Sequence, residues 1–290
     1  MKSNNILNIL VPIIIIGATI AAASGLFYST DGFRFSFMTI RGREVQILGS
    51  GLYRFDTVFF GAGFRGQDAV VLFLGVPLLL VTWLVYRNGS QAGPYLLTGM
   101  LGYFLYIYAS MALGAAYNPL FLLYIVLFSA SLFGFIHVFN SIKGPVIKRS
   151  HKLPRVGLMI FMVVAGVVTL VVWGGPLLAA VLKGGAPERM DSYTTMVTYA
   201  LDLAVITPAT FMSAYLIYRY RLMGYAIAAP LLTLVILLAP QILLSTLWQK
   251  AAGVPFTTGE MIGPVAGFVV LGLTALGLYV ALLRALFRAA

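Results

Sequence analysis

Eight stretches of this chain run for about 20 residues with almost no charge, the length a helix rising about 1.5 Å per residue needs to cross a hydrocarbon core roughly 30 Å thick. They lie near Ile6–Tyr28, Ala69–Tyr86, Pro94–Leu113, Pro119–Phe139, Val156–Leu182, Thr195–Tyr218, Met223–Trp248 and Met261–Leu283. Backbone polar groups in lipid must be paired internally, so unalternating apolar runs of this length are helices. A soluble fold is excluded by the same residues. Of the 290, 61% are hydrophobic and 9% charged, where a soluble domain carries about 25% charged residues. The expected fold is an all-α integral membrane protein, an eight-helix transmembrane bundle.

Charge sorts the connections into two sets. The N-terminus, alternate loops and the C-terminus carry Lys2, Arg87, Lys143, Lys148, Arg149, Lys152, Arg155, Arg219, Arg221, Arg284 and Arg288 without an acid. The other side mixes Arg34, Arg41, Arg43, Arg54, Arg65, Lys183, Arg189 and Lys250 with Asp31, Glu44, Asp56, Asp68, Glu188, Asp191 and Glu260. By the positive-inside rule the first side is cytoplasmic, so both termini are expected inside, in a cytoplasmic (inner) membrane. The net charge of +11 then reflects topology. The expected partners are the lipid bilayer and a small solute or ion, not nucleic acid. Lys2, an apolar run and Ala21-Ala22-Ala23-Ser24 also resemble a signal peptide, but the run exceeds the usual core of about 7–15 residues and reads as a retained first helix.

The segment 29–67 is too long for a bare connection. Phe33–Ile40 and Glu44–Leu48 alternate apolar with polar residues on either side of Arg41-Gly42-Arg43, which predicts a small extracytoplasmic β-hairpin lying against the helix ends. Weak matches link the two ends of the chain: Arg54-Phe-Asp56-Thr57 with Arg189-Met-Asp191-Ser192, Asp68 with Asp202, Tyr86-Arg87 with Tyr220-Arg221, and Pro119 with Pro255. Their common order divides the chain into a first four-helix half, 1–142, a basic joint, 143–155, and a second half, 156–290. With an even number of spans each, such repeats are parallel.

Asp202 is the one acid expected inside a span, where an ionisable side chain must face protein or water. Thr195, Thr198, Tyr199, Asp202 and Ser213 fall near one helical face. This stripe fits a solute, ion or proton site, and equally a carboxylate held for structural reasons. Asp68 is expected to begin the second helix, either favouring the helix dipole there or facing Asp202 across a pseudo-twofold axis. In the second arrangement Arg54 and Arg189 line a charged vestibule. Tyr103 and Tyr106 form a stripe with Ser110 on the third helix, Tyr108 points elsewhere, and Gln241 after Pro240 marks a buried polar group beside a kink.

Other chemistries lack their residues. With Cys 0 and only His137 and His151, neither a thiolate nor a histidine metal cluster is expected. No Walker loop, zinc-protease motif, nucleophile elbow or dinucleotide fingerprint is present. No catalytic residue, metal ligand or cofactor is therefore assigned.

Arg41-Gly42 through Gly51-Leu-Tyr-Arg-Phe-Asp56, Gly66-Gln-Asp68 to Gly75-Val-Pro-Leu-Leu79, Tyr117-Asn-Pro-Leu-Phe121 and Ala200-Leu-Asp202 to Pro208 resemble a widespread group of prokaryotic polytopic membrane proteins. The resemblance implies a multi-span fold and imports no activity. Three readings follow from the residues: a transporter or channel for a small solute or ion centred on Asp202 with Asp68 its partner; a non-transporting sensor or assembly subunit that binds at its outer face; and a lipid-modifying enzyme.

Overall fold

The computed structural model describes residues 5–142 and 153–288, so most of the joint expected at 143–155 lies outside the described residues. Eight helices are long and apolar enough to span a membrane: α1 (Asn5–Phe27), α2 (Val58–Arg87), α3 (Gly93–Gly114), α4 (Phe121–Ser141), α5 (Arg155–Leu182), α6 (Val197–Tyr218), α7 (Leu222–Ala251) and α8 (Thr258–Arg288). Between α1 and α2 the expected hairpin forms, β1 (Phe35–Met38) pairing antiparallel with β2 (Glu44–Ile47), Phe35 opposite Ile47 and Met38 opposite Glu44. Gly42 in its turn has φ +72°, a conformation open to glycine because it lacks a Cβ.

The second helix begins earlier than its hydropathy suggests. Thr57 caps it by accepting from the Phe60 amide, and the helix then runs through Arg65, Gln67 and Asp68 before reaching Ala69. Asp68 is consequently no first-turn acid. It is a buried carboxyl in the third turn of the spanning helix α2, joining Asp202 inside the bundle, and the expectation of a single acid within the spans is corrected.

In the first half, α1 packs on α2 and α4, and α3 on α2 and α4; in the second, α6 packs on α5 and α7, and α7 on α8. Contacts of α7 with α2 and α3, and of α3 with the start of α6, join the halves. Accordingly α3 and α7 are the most enclosed spans, 67% and 61% of their apolar 18-residue stretches being buried, against 22% in α8. Association inside lipid depends on close backbone approach at small residues and on polar bonds between helices, because apolar side chains gain little by leaving lipid for protein. Both devices occur between α2 and α7. Gln249 Nε2 donates to the Phe59 carbonyl at 3.0 Å, Ser245 Oγ to the Gly63 carbonyl at 2.8 Å, and Gln241 Nε2 to Gln67 Oε1 at 3.2 Å. Polar residues recur every fourth position along one face of α7 and meet positions recurring at the same interval on antiparallel α2, a zipper of side-chain bonds. Gly66 lies in its middle, with Ser245 and Leu244 backbone where a Cβ would stand.

Two spanning helices contain π turns. In α2 the turn is Val71–Gly75, followed by Pro77; in α6 it is Asp202–Ile206, followed by Pro208 at the same spacing. A π turn inserts one residue and shifts the face presented beyond it. The stripe expected along α6 is therefore divided: Thr195 precedes the helix, Thr198 and Tyr199 face one space, and Ser213 Oγ turns to the Gly224 carbonyl of α7 at 2.9 Å. The kink expected at Pro240 does not interrupt α7, which continues from Leu222 to Ala251.

The hairpin belongs to the first half but reaches over the second. Arg34 Nη1 donates to the Ala252 carbonyl at 2.8 Å, Arg41 Nη1 to Tyr193 O at 3.1 Å, and Arg43 Nη1 to Glu188 O at 3.4 Å. We refer to this face as the hairpin side and to the opposite face as the terminal side.

Candidate functional site

On the hairpin side, α5 and α8 enclose, with α2, α6 and α7, a cavity of about 850 Å³. This lies within the range of roughly 300–1,000 Å³ of ligand pockets. Its walls are apolar, among them Phe60 of α2, Trp173 and Pro176 of α5, and Pro264 and Phe268 of α8. Polar groups enter from α6, as Thr198 and Tyr199, and from α7, as Ser245 and Gln249. Arg43, Lys183 and Arg189 stand at the mouth with Glu188 and Glu260. Arg189 Nη2 lies 3.4 Å from Glu260 Oε1, and its guanidinium stacks 4.6 Å from the Phe59 ring centre. The mouth thus presents both signs of charge above an apolar chamber.

Asp202 lies one turn beyond Thr198 and Tyr199, buried at 6% exposure. It opens the π turn of α6, where the Thr207 hydroxyl donates to its backbone carbonyl at 2.9 Å. Tyr106 of α3 lies against its carboxyl, and among the described residues it forms no salt bridge. Tyr199 packs on Trp173, the ring centres 4.6 Å apart. Thus Asp202, Tyr106, Tyr199 and Thr198 share one region, with the cavity ending a turn short of the carboxyl.

Asp68 sits in a second, separate cluster. Its Oδ2 accepts from the Tyr53 hydroxyl at 2.6 Å, and α1 approaches so closely at Gly25 that a Cβ there would overlap the carboxyl. Tyr103 OH donates to Gln241 Oε1 at 3.1 Å, and Gln241 continues to Gln67. Tyr108 stacks with Phe104 and Tyr124, away from Gln241. The structure therefore divides the expected site residues between two clusters, Asp202 with Tyr106 and Asp68 with Tyr53. Arg54 lies over the Phe55 ring, at 4.9 Å, and is not among the cavity's lining residues, whereas Arg189 stands at its mouth.

Tyr53 is not among the residues that the sequence singles out, although it holds Asp68. Removing its hydroxyl leaves a buried carboxyl oxygen without a donor. Tyr53→Phe is expected to cost about 2 kcal/mol, the scale of a bond to a charged or buried acceptor, and to cost far less in an Asp68→Leu background. A double-mutant cycle of thermal or denaturant unfolding in detergent measures this coupling.

Outside the spans a third carboxyl is fully buried. Asp56 Oδ1 accepts from the Ala116 amide at 2.8 Å and from the Tyr193 hydroxyl at 2.6 Å, while Oδ2 is buried with no partner among the described residues. Burial pushes its pKa up to about 6, opposed by the two hydrogen bonds. The adjacent Thr57 hydroxyl donates to Asp191 Oδ2 at 3.1 Å. Asp191 holds φ +49°, a region costly for a residue with a Cβ and tolerated where surrounding contacts impose it. Burial also raises the Asp191 carboxyl and the Tyr193 phenol above their ordinary values. Both contacts join the segment before α2 to the α5–α6 connection, which carries Glu188 and Arg189 into the cavity mouth.

No known protein family, curated protein or solved structure matches this chain.

Proposed function

We propose that this polytopic membrane protein carries a small solute or ion, admitted through the hairpin-side cavity and handed to Asp202. The observation behind this reading is the cavity itself, about 850 Å³ and lined by Thr198 and Tyr199 one turn from the buried carboxyl. Two further features support it. Asp202 opens a π turn, a helix irregularity frequent at functional sites. Broken or unwound spans also commonly hold substrate or coupling ion in transporters. In this reading Tyr106 positions the carboxyl, Thr198 and Tyr199 form the last contacts before it, and Arg189 with Glu260 gates the mouth.

We read the hairpin side as extracytoplasmic and both termini as cytoplasmic, a reading that the distribution of Lys and Arg among the connections supports. We also read the chain as two parallel four-helix repeats. This is supported by the matched order of π turn and proline in α2 and α6, and by α3 and α7 meeting at the centre. In that register Asp202 stands opposite Val71, and Asp68 lies almost a turn earlier.

The absence of native cysteine allows a direct test. Thr198→Cys protein in proteoliposomes is assayed for proton flux with an entrapped pH dye, and for uptake of alkali cations and small zwitterions, before and after reaction with a bulky maleimide. Flux exceeding that of protein-free liposomes and stopped by the maleimide only in the variant is the expected result. Flux no greater than that of protein-free liposomes for all of these probes overturns the proposal.

A second reading, a sensor or assembly subunit, is favoured by the apolar surface of the hairpin, where Phe33 is 90% and Ile40 86% exposed. The same experiment separates the two, since that reading requires no flux.

A further inference from the structure

The α5–α6 connection forms part of the cavity mouth, yet its anchors lie in the other half of the chain. Tyr193 OH reaches Asp56, Asp191 reaches Thr57, and the Tyr193 and Glu188 carbonyls are held by Arg41 and Arg43 of the hairpin. Of these bonds, one depends on a titratable group that is wholly buried and half unpartnered. Asp56 Oδ1 accepts from two donors, while Oδ2 has none among the described residues. A buried carboxylate oxygen without a donor is costly, and a proton on the carboxyl removes that cost.

We infer that Asp56 is a proton-operated latch: protonated, it holds the α5–α6 connection against the segment before α2; ionised, it releases that connection and the cavity wall it carries. This rests on the cavity being the access route proposed above. The surroundings of Asp56 favour the neutral form. The α5–α6 connection presents Tyr193 and, through Thr57, Asp191; α4 contributes Tyr124; the α3–α4 connection gives the Ala116 amide and Asn118. The neighbouring cations, Arg41, Arg43 and Arg189, serve the backbone carbonyls of Tyr193 and Glu188 or the side chains of Asp191 and Glu260. Arg54 is turned over Phe55.

The sign follows from linkage. With the acid pKa near 6 when latched and at its ordinary value when water reaches it, the latched form binds the proton more tightly. Acid therefore favours the latch, and a rise of pH through about 6 withdraws that preference. Between pH 5 and pH 8 the ratio of latched to released protein should fall roughly tenfold.

The test places nitroxides on Thr194→Cys and Tyr117→Cys, both exposed and each adjacent to a residue that the latch joins. The full chain is held in nanodiscs. Dipolar broadening of the continuous-wave spectrum is expected to be strong at pH 5 and to decline with a midpoint near pH 6. Adding Asp56→Asn, a neutral side chain that still accepts both hydrogen bonds, should keep it strong throughout. Adding Tyr193→Phe instead, which removes the bridging hydroxyl, should weaken it at every pH. Broadening that is constant from pH 5 to pH 8 with native Asp56, or that responds equally in Asp56→Asn, overturns the latch. No solute is involved, so a failed latch and a failed transport reading give different results.

Discussion

Asp202→Asn is expected to bring protein-dependent flux down to the level of protein-free liposomes while leaving the folded protein intact. The substitution keeps the size of the side chain and an oxygen for Tyr106, but removes the charge and the exchangeable acid proton. Asp202 is buried within a span and forms no salt bridge among the described residues, so no cation is orphaned by its neutralisation. The stability change should stay within about 1 kcal/mol, below the range of substitutions that break a buried ion pair. Flux and thermal midpoint measured on the same preparation separate the alternatives. Lost flux with an unchanged midpoint supports a transport carboxyl. Preserved flux with a lowered midpoint assigns Asp202 a structural role.

The second large effect concerns the packing of α2 on α7. A methyl group at Gly66 would coincide with the Ser245 backbone and stand 2.7 Å from the Leu244 carbonyl carbon. Backbone, unlike a side-chain end, cannot turn aside, so α2 and α7 must separate. That motion lengthens all three zipper bonds, from Gln249, Ser245 and Gln241. Overpacking of a close contact costs about 1–3 kcal/mol and sometimes more, and Gly66→Ala should reach at least the upper end, about 3 kcal/mol. Gly263 of α8 provides the matched control, with open space where its Cβ would be. There Ala should be neutral or stabilise by a few tenths of a kcal/mol to about 1 kcal/mol, the usual gain in a helix interior. Unfolding of the two variants in detergent, followed by circular dichroism, should shift in opposite directions or only for Gly66. Equal shifts would show that α2 and α7 do not meet as described.

Much of this architecture was legible before any coordinates. Span length is set by the bilayer, and α1, α3, α4, α5 and α7 begin and end within a few residues of their apolar runs. The hairpin was equally readable, since alternation and a Gly turn are local properties. The start of α2 was not. Arg65, Gln67 and Asp68 resemble a loop to any measure of hydropathy, and the helix was expected to begin at Ala69. Gln67 and Asp68 lie inside because Tyr53, from the segment before the helix, donates to the Asp68 carboxyl, and Gln241, from a helix far along the chain, donates to the Gln67 amide oxygen. The spacing of Gln241, Ser245 and Gln249 on α7 was a visible signal of that partnership. Its meaning depended on Phe59, Gly63 and Gln67 standing opposite.

The site shows the same division. Asp202 stands out in the sequence because a charge inside an apolar run is costly wherever the run folds. Its surroundings are another matter. The π turn that separates Thr198 and Tyr199 from Ser213 has no signature beyond the proline after it. The cavity lies between α5 and α8 and is closed by α2, α6 and α7, an arrangement that no single segment encodes. Asp56 looks like an ordinary loop acid until Tyr193 and Ala116 close over it. By itself, the sequence determined how many helices cross the membrane and where the hairpin lies, because lipid acts on each segment separately. Tertiary structure alone decided which polar groups are buried together and where space is left between helices, because those outcomes depend on partners distant in the chain.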